Sequence, residues 1–177
     1  MILDLCAGTG AWGKPYRENG YDVRNITLPN QDVRLFQVPR EKVQGVLAAP
    51  PCTHLSSSGA RWWKDKGENA LLEALALVDA CLRIIVACSP SWWALENPVG
   101  RLRHYLGPPK LIFNPCDYGD PWTKKTCLWG NFEMPEKNPI KPSLGSRLHR
   151  LPPSTDRGEL RAVTPPRFAQ AFFEANR

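Results

Sequence analysis

Gly45-Val46-Leu47-Ala48-Ala49-Pro50-Pro51-Cys52 is a short apolar run that ends in two prolines and a cysteine. A continuous apolar run bounded by turn residues reads as a strand buried on both faces, the kind found in a parallel sheet covered by helices. In open sheets of this type the ligand crevice lies beyond the carboxyl ends of the strands, so Cys52 is expected to emerge there. The prolines fix φ and remove two backbone donors, which stiffens the exit from the strand and sets the direction of the thiol. Such preorganisation suits a nucleophile. A cysteine after a Pro-Pro turn also reads as a small buried hydrophobe.

Working outward, Ile2-Leu3-Asp4-Leu5-Cys6-Ala7-Gly8-Thr9-Gly10-Ala11-Trp12-Gly13 is an apolar strand running into a glycine-rich turn. Glycines there permit positive φ and close approach of backbone to a ligand, as in nucleotide cradles, although a strand-to-helix turn alone accounts for them. Trp92-Trp93-Ala94-Leu95-Glu96-Asn97-Pro98 is a further apolar strand, with a carboxylate and an amide at its end. Desolvation there raises a carboxyl pKa and suits Glu96 to proton donation, while Asn97-Pro98 also reads as the start of a short helix.

The periodicity predicts strands near 1–6, 21–26, 45–49, 92–96, 110–114 and 126–130, and helices near 12–19, 68–88 and 99–106. This alternation means an α/β fold. Leu72, Leu75, Val78, Leu82 and Ile85 form an apolar stripe on the longest helix, facing the sheet. Residues 133–160 are rich in Pro, Ser, Lys and Arg and read as an extended basic segment. Residues 164–176 read as a closing helix with Pro165 and Pro166 at its start.

The 177 residues, 42% apolar and 23% charged, suit one globular domain. Its six cysteines show no zinc-ligand spacing, so no metal is expected and the thiols are expected to be reduced in a cytoplasmic protein. No apolar stretch reaches the length of a membrane span. The net charge is +6; residues 1–100 hold ten Lys+Arg and ten Asp+Glu, residues 101–177 thirteen and seven. A basic second part suits a phosphate-backbone partner, or is a solvated surface.

The running order of glycine-rich turn, Pro50-Pro51-Cys52, Glu96-Asn97-Pro98, Tyr118-Gly119-Asp120-Pro121-Trp122-Thr123-Lys124 and Arg161-Ala162-Val163-Thr164-Pro165 resembles that of the DNA cytosine-5 methyltransferases. The resemblance implies a Rossmann-like class I methyltransferase sheet with helices on both faces, mostly parallel, with an antiparallel strand near the end. It implies a catalytic core over 1–132, a reduced recognition region over 133–160 and a C-terminal helix over 161–177 packing on the core. It implies transfer of a methyl group from S-adenosyl-L-methionine to C5 of cytosine in DNA, with Cys52 attacking C6 and Glu96 meeting N3 of a flipped base. Asp4, Cys6, Ala7, Gly8, Thr9, Gly10, Asp32, Val33 and Pro50 would bind the cofactor. Pro51, Ser56, Asn97, Lys124 and Arg161 would bind the substrate. The short phage-carried members, which protect DNA from restriction in the host cytoplasm, are the nearest in form.

The chain also departs from the family pattern. Only about 28 residues stand where members insert a recognition domain, too few to fold alone. Cys6 replaces a phenylalanine, Thr27 an acidic residue, Thr53 a glutamine and Lys124 an arginine. The family's last motif has no counterpart, which leaves a homodimer as one way to complete the pocket. RNA, a free nucleotide or a modified cytosine is therefore an alternative substrate, and a catalytically weak nucleic-acid-binding homologue an alternative function. Ser56-Ser57-Ser58-Gly59 is the expected hinge of a mobile catalytic loop, and Trp62 and Trp63, beside Arg61 and Lys64, are candidates for stacking on a base.

Overall fold

A computed structural model describes residues 1–146 and 157–177. Positions 147–156 of the expected basic segment lie outside the described residues. Among those described, six strands form one sheet: β1 (Ile2–Leu5), β2 (Val23–Ile26), β3 (Gly45–Ala48), β4 (Trp92–Pro98), β5 (Leu111–Phe113) and β6 (Thr126–Asn131). Their spatial order is β2-β1-β3-β4-β6-β5. β1 is parallel to β2 and β3, and β3 to β4, whereas β6 runs antiparallel to both β4 and β5. The mostly parallel sheet with an inverted late strand is therefore present.

Side chains of a strand alternate between faces, so one buried strand feeds two cores. Leu3, Leu5, Val46, Ala48 and Leu95 meet Ala74, Val78, Cys81 and Ile84 of the helix α2 (Trp63–Cys88). On the other face Ile2, Leu47, Trp92, Ala94 and Leu128 meet Tyr16 of α1 (Lys14–Glu18) and Phe168, Phe172 and Phe173 of a C-terminal helix, Pro166–Ala175. Phe168 stacks on Phe113 with centroids 4.0 Å apart. Full burial of such a side chain contributes about 1.5–3 kcal/mol, which fixes the C-terminal helix to the sheet.

Two helices differ from expectation. Gly67, at φ 71°, interrupts α2, so its regular part begins at Glu68; Leu72 of the expected stripe is 61% exposed, and Ala74, Val78, Cys81, Ile84 and Ile85 form the face on the sheet. The helix expected over 99–106 is only α3 (Arg103–Leu106). Pro98 remains in β4, Val99 N–H donates to Lys125 O at 3.2 Å, and Gly100 bridges to Ser56, so strand-like pairing takes the residues a helix would have used. A further helix, α4 (Arg157–Ala162), precedes the C-terminal one, α5.

Candidate active site

The Pro-Pro-Cys turn carries few donors of its own, and the neighbouring strand supplies its restraint. Asn97 is wholly buried and donates through Nδ2 to the Pro50 carbonyl at 2.9 Å. Leu55 and Ser56 N–H groups donate to Cys52 O at 3.0 and 2.9 Å, which closes the chain into a tight turn after the thiol. That turn is stitched to the residues leaving β4. Ser57 donates to Val99 O through both N–H (2.9 Å) and Oγ (2.7 Å), and Arg101 Nε donates to His54 O at 2.9 Å. A Cβ on Gly100 would lie 2.0 Å from Leu55 O, so the close approach requires glycine. The expected hinge at Ser56-Ser57 is thus fastened in this conformation.

A cavity of about 250 Å³ opens over the carboxyl ends of β1, β3 and β4. Asp4, Cys6, Ala7, Gly8 and Thr9 line one part of it, and Pro50, Pro51, Cys52, Glu96, Lys124 and Arg161 also line it. One concave site therefore brings together most residues expected for both cofactor and substrate. Gly10 is buried behind the turn at φ 69°, where a Cβ would meet Asn25 Nδ2 at 2.7 Å. Four others do not line the cavity. Asn97 acts on Pro50, and Ser56 is 8% exposed and accepts from Ser58 N–H at 3.4 Å. Val33 is in the core, and Asp32 is held by Arg34 through Nη2 at 2.5 Å and Nε at 3.0 Å.

Burial sets the electrostatics. Desolvation raises the Glu96 pKa above the usual carboxyl value, against the nearby Lys124 cation, whose Nζ is 3.9 Å from Oε1. Desolvation also raises Cys52, reinforced by Glu96 and opposed by Lys124 and Arg161. Asp4 is pushed up to about 7 by burial, against the Gly13 N–H and Arg17. Asp4 Oδ1, Trp12 Nε1 and Glu96 Oε1 are buried with no hydrogen-bond partner among the described residues, and all three residues line the cavity. Buried polar atoms are normally paired, so these fit a ligand that brings its own donors and acceptors, as S-adenosylmethionine and a pyrimidine do. Trp12 and Leu28, for which no role is expected from the sequence, also line the cavity. A tryptophan between Gly10 and Gly13 was the available signal for the first; Leu28 offered none.

Trp62 is half exposed with the Arg61 guanidinium 4.9 Å from its ring centroid, while Arg101 covers Trp63 at 4.2 Å. Among the described residues no cluster of His, Cys, Asp and Glu could hold a metal ion, and no helix is long and apolar enough to cross a membrane.

No family model matches this chain, and no curated protein matches it. Among solved structures 67 chains match. One, from E. coli, is described as a "putative DNA modification methyltransferase encoded within prophage Cp-". It is 15% identical, with a TM-score of 0.53, over 81% of this chain and 53% of that one. The chain thus spans about half the length of that neighbour, and at this identity the likeness is one of fold.

Proposed function

We propose that this chain has the class I methyltransferase fold and transfers a methyl group from S-adenosylmethionine to C5 of cytosine in DNA through a covalent adduct at Cys52. The observation that carries the proposal is that Cys52, Glu96 and the turn from Asp4 to Thr9 line a single cavity. The description of the E. coli prophage neighbour as a DNA modification methyltransferase adds support, as does the basic second part of the chain. Asp4, Cys6, Ala7, Gly8, Thr9 and Pro50 would hold the cofactor, with Gly10 shaping the turn. Pro51, Lys124 and Arg161 would face the base, and Asn97 would act through the Pro50 carbonyl. A contact from Asp32 to adenine would require its release from Arg34.

C5 of cytosine is a poor nucleophile. In this reading the Cys52 thiolate forms an S–C6 bond, and the displaced ring electrons make C5 electron-rich. Burial favours the protonated form of Glu96, against Lys124, and in that form it would donate to N3 and stabilise the charge that builds there. The cofactor supplies the methyl group as a sulfonium electrophile. C5 then gives its proton to water, the C6–S bond breaks and the electron pair returns to Cys52. Lys124 and Arg161 favour the thiolate from within the cavity.

The test is trapping with duplex DNA containing 5-fluorocytosine in the presence of S-adenosylmethionine, because fluorine at C5 cannot leave as a proton does. Wild type should give a covalent adduct and Cys52→Ala none. Absence of an adduct with the wild type refutes the mechanism, and an adduct with RNA or a mononucleotide but not with DNA refutes the DNA substrate.

A further inference from the structure

We infer that the face bearing Trp62, Trp63 and Arg101, beside the catalytic turn and outside its cavity, anchors DNA as an unpaired strand: Arg101 and Trp63 grip a backbone phosphate close to the target cytosine, and Trp62 stacks on a neighbouring base that has no partner. The inference rests on the reading that the cavity takes a cytosine of DNA. None of the three residues lines the cavity. Arg101 Nη2, Trp63 Nε1 and His54 Nδ1 are buried with no hydrogen-bond partner among the described residues, whereas buried polar atoms are normally paired. The guanidinium carbon of Arg101 lies 4.2 Å from the Trp63 ring centroid, and Nη2 is bonded to that carbon, so the two open N–H groups are neighbours. Arg101 Nε is already given to His54 O at 2.9 Å, which holds the guanidinium beside the residue that carries the third open atom. A guanidinium and an indole N–H only donate, and the oxygens of one phosphate accept from both.

The two adjacent tryptophans differ in what the fold leaves open. Arg101 occupies a face of Trp63, whereas Trp62 is 50% exposed, with the Arg61 guanidinium 4.9 Å from its ring centroid. An exposed indole beside a cation is a platform for a nucleobase, and a base presents its π-face to such a platform only when it has left the duplex stack. The charge suits a polyanion: Arg61, Lys64 and Lys66 are exposed against Asp65 alone, and Arg101 adds to them. Lys66 Nζ donates to Thr53 O at 3.3 Å, which ties this cationic run to the residue after Cys52. His54 follows Cys52 by two residues, so their Cα atoms lie within about 7 Å of each other, roughly the span of two nucleotides of a strand. The gripped phosphate therefore belongs to the target nucleotide or to a close neighbour of it.

Fluorescence anisotropy of an end-labelled DNA oligonucleotide with one cytosine gives the Kd of the single strand and of its duplex. Wild type should bind the single strand more tightly than the duplex. Trp62→Ala, at an exposed position, should weaken the single strand about 10-fold while leaving the duplex within about 2-fold. Arg101→Met should weaken the single strand and reduce the slope of log Kd against log salt by about 0.7, the share of one phosphate contact on a single strand. Trp63→Phe keeps a ring beneath Arg101 and deletes the N–H, so it should weaken binding with that slope unchanged. On the wild-type protein, with no folding risk, a neutral methylphosphonate moved along the strand should cost most within about two nucleotides of the cytosine. Equal wild-type affinity for strand and duplex, equal weakening of both by Trp62→Ala, or an unchanged slope in Arg101→Met overturns the inference and leaves the DNA reading standing. Failure of wild type to bind either form overturns that reading itself.

Discussion

Replacing Asp4 by asparagine should remove a pH-dependent loss of stability. Asp4 is buried in β1, and desolvation moves its carboxyl from 3.8 in the unfolded chain to about 7 in the fold, against the Gly13 N–H and Arg17. Between these two values the native protein holds a proton that the unfolded chain has released. Stability from this group is therefore fully present below 3.8, falls as pH rises to about 7, and is level beyond. A shift of roughly three units at 1.36 kcal/mol each amounts to about 4 kcal/mol. Asparagine keeps an acceptor for Gly13 N–H and carries no charge to desolvate. Urea unfolding of both proteins from pH 4 to pH 8 isolates the residue, since every other titrating group cancels in the difference. The variant should gain on wild type as pH rises, by up to about 4 kcal/mol at pH 8. A difference independent of pH, or a variant that loses ground at pH 8, would refute the argument that desolvation dominates at Asp4.

Two further outcomes concern the reacting groups. Burial and Glu96 raise the Cys52 thiol, so the rate of adduct formation on 5-fluorocytosine DNA should still be climbing at pH 9; Lys124→Met removes an opposing cation and should move that rise to higher pH in stopped-flow or quenched trapping. Asn97→Leu leaves the Pro50 carbonyl without its side-chain donor, and should cost about 1–3 kcal/mol in unfolding measurements. Because that carbonyl precedes the thiol by two residues, the same variant should slow adduct formation more than it weakens S-adenosylhomocysteine binding. An equal loss in both would mean that Asn97 only stabilises the fold.

Most of the strands were legible because they are short apolar runs bounded by turn residues, Gly45–Ala48 the plainest of them; the edge strand β2, with Arg24 and Asn25 exposed, is the exception. The stripe on α2 was legible in part: Val78 and Ile85 are buried and Leu75 and Leu82 pack beside them, but Leu72 is exposed, because at 3.6 residues per turn it lies about 120° around the helix from Val78. Helix 99–106 was misjudged because the competing partners, Lys125 O and Ser56, are remote in sequence. Asp32 is a local case: Arg34 captures its carboxylate two residues on, a contact that a reading by resemblance passed over.

The sequence by itself determined the strands, the apolar faces that bury them, the stiff turn that carries Cys52 and the residue types at each strand end, because these depend on neighbours a few positions away. Only the tertiary structure decided that Asn97 grips Pro50 and that Asp4, Trp12, Cys52 and Glu96 share one cavity. Those relations follow from the β1-β3-β4 order of the sheet and from α5 closing over Trp12. So do the raised carboxyl groups, since desolvation depends on how much of the whole chain packs around a side chain and not on the residues beside it in sequence.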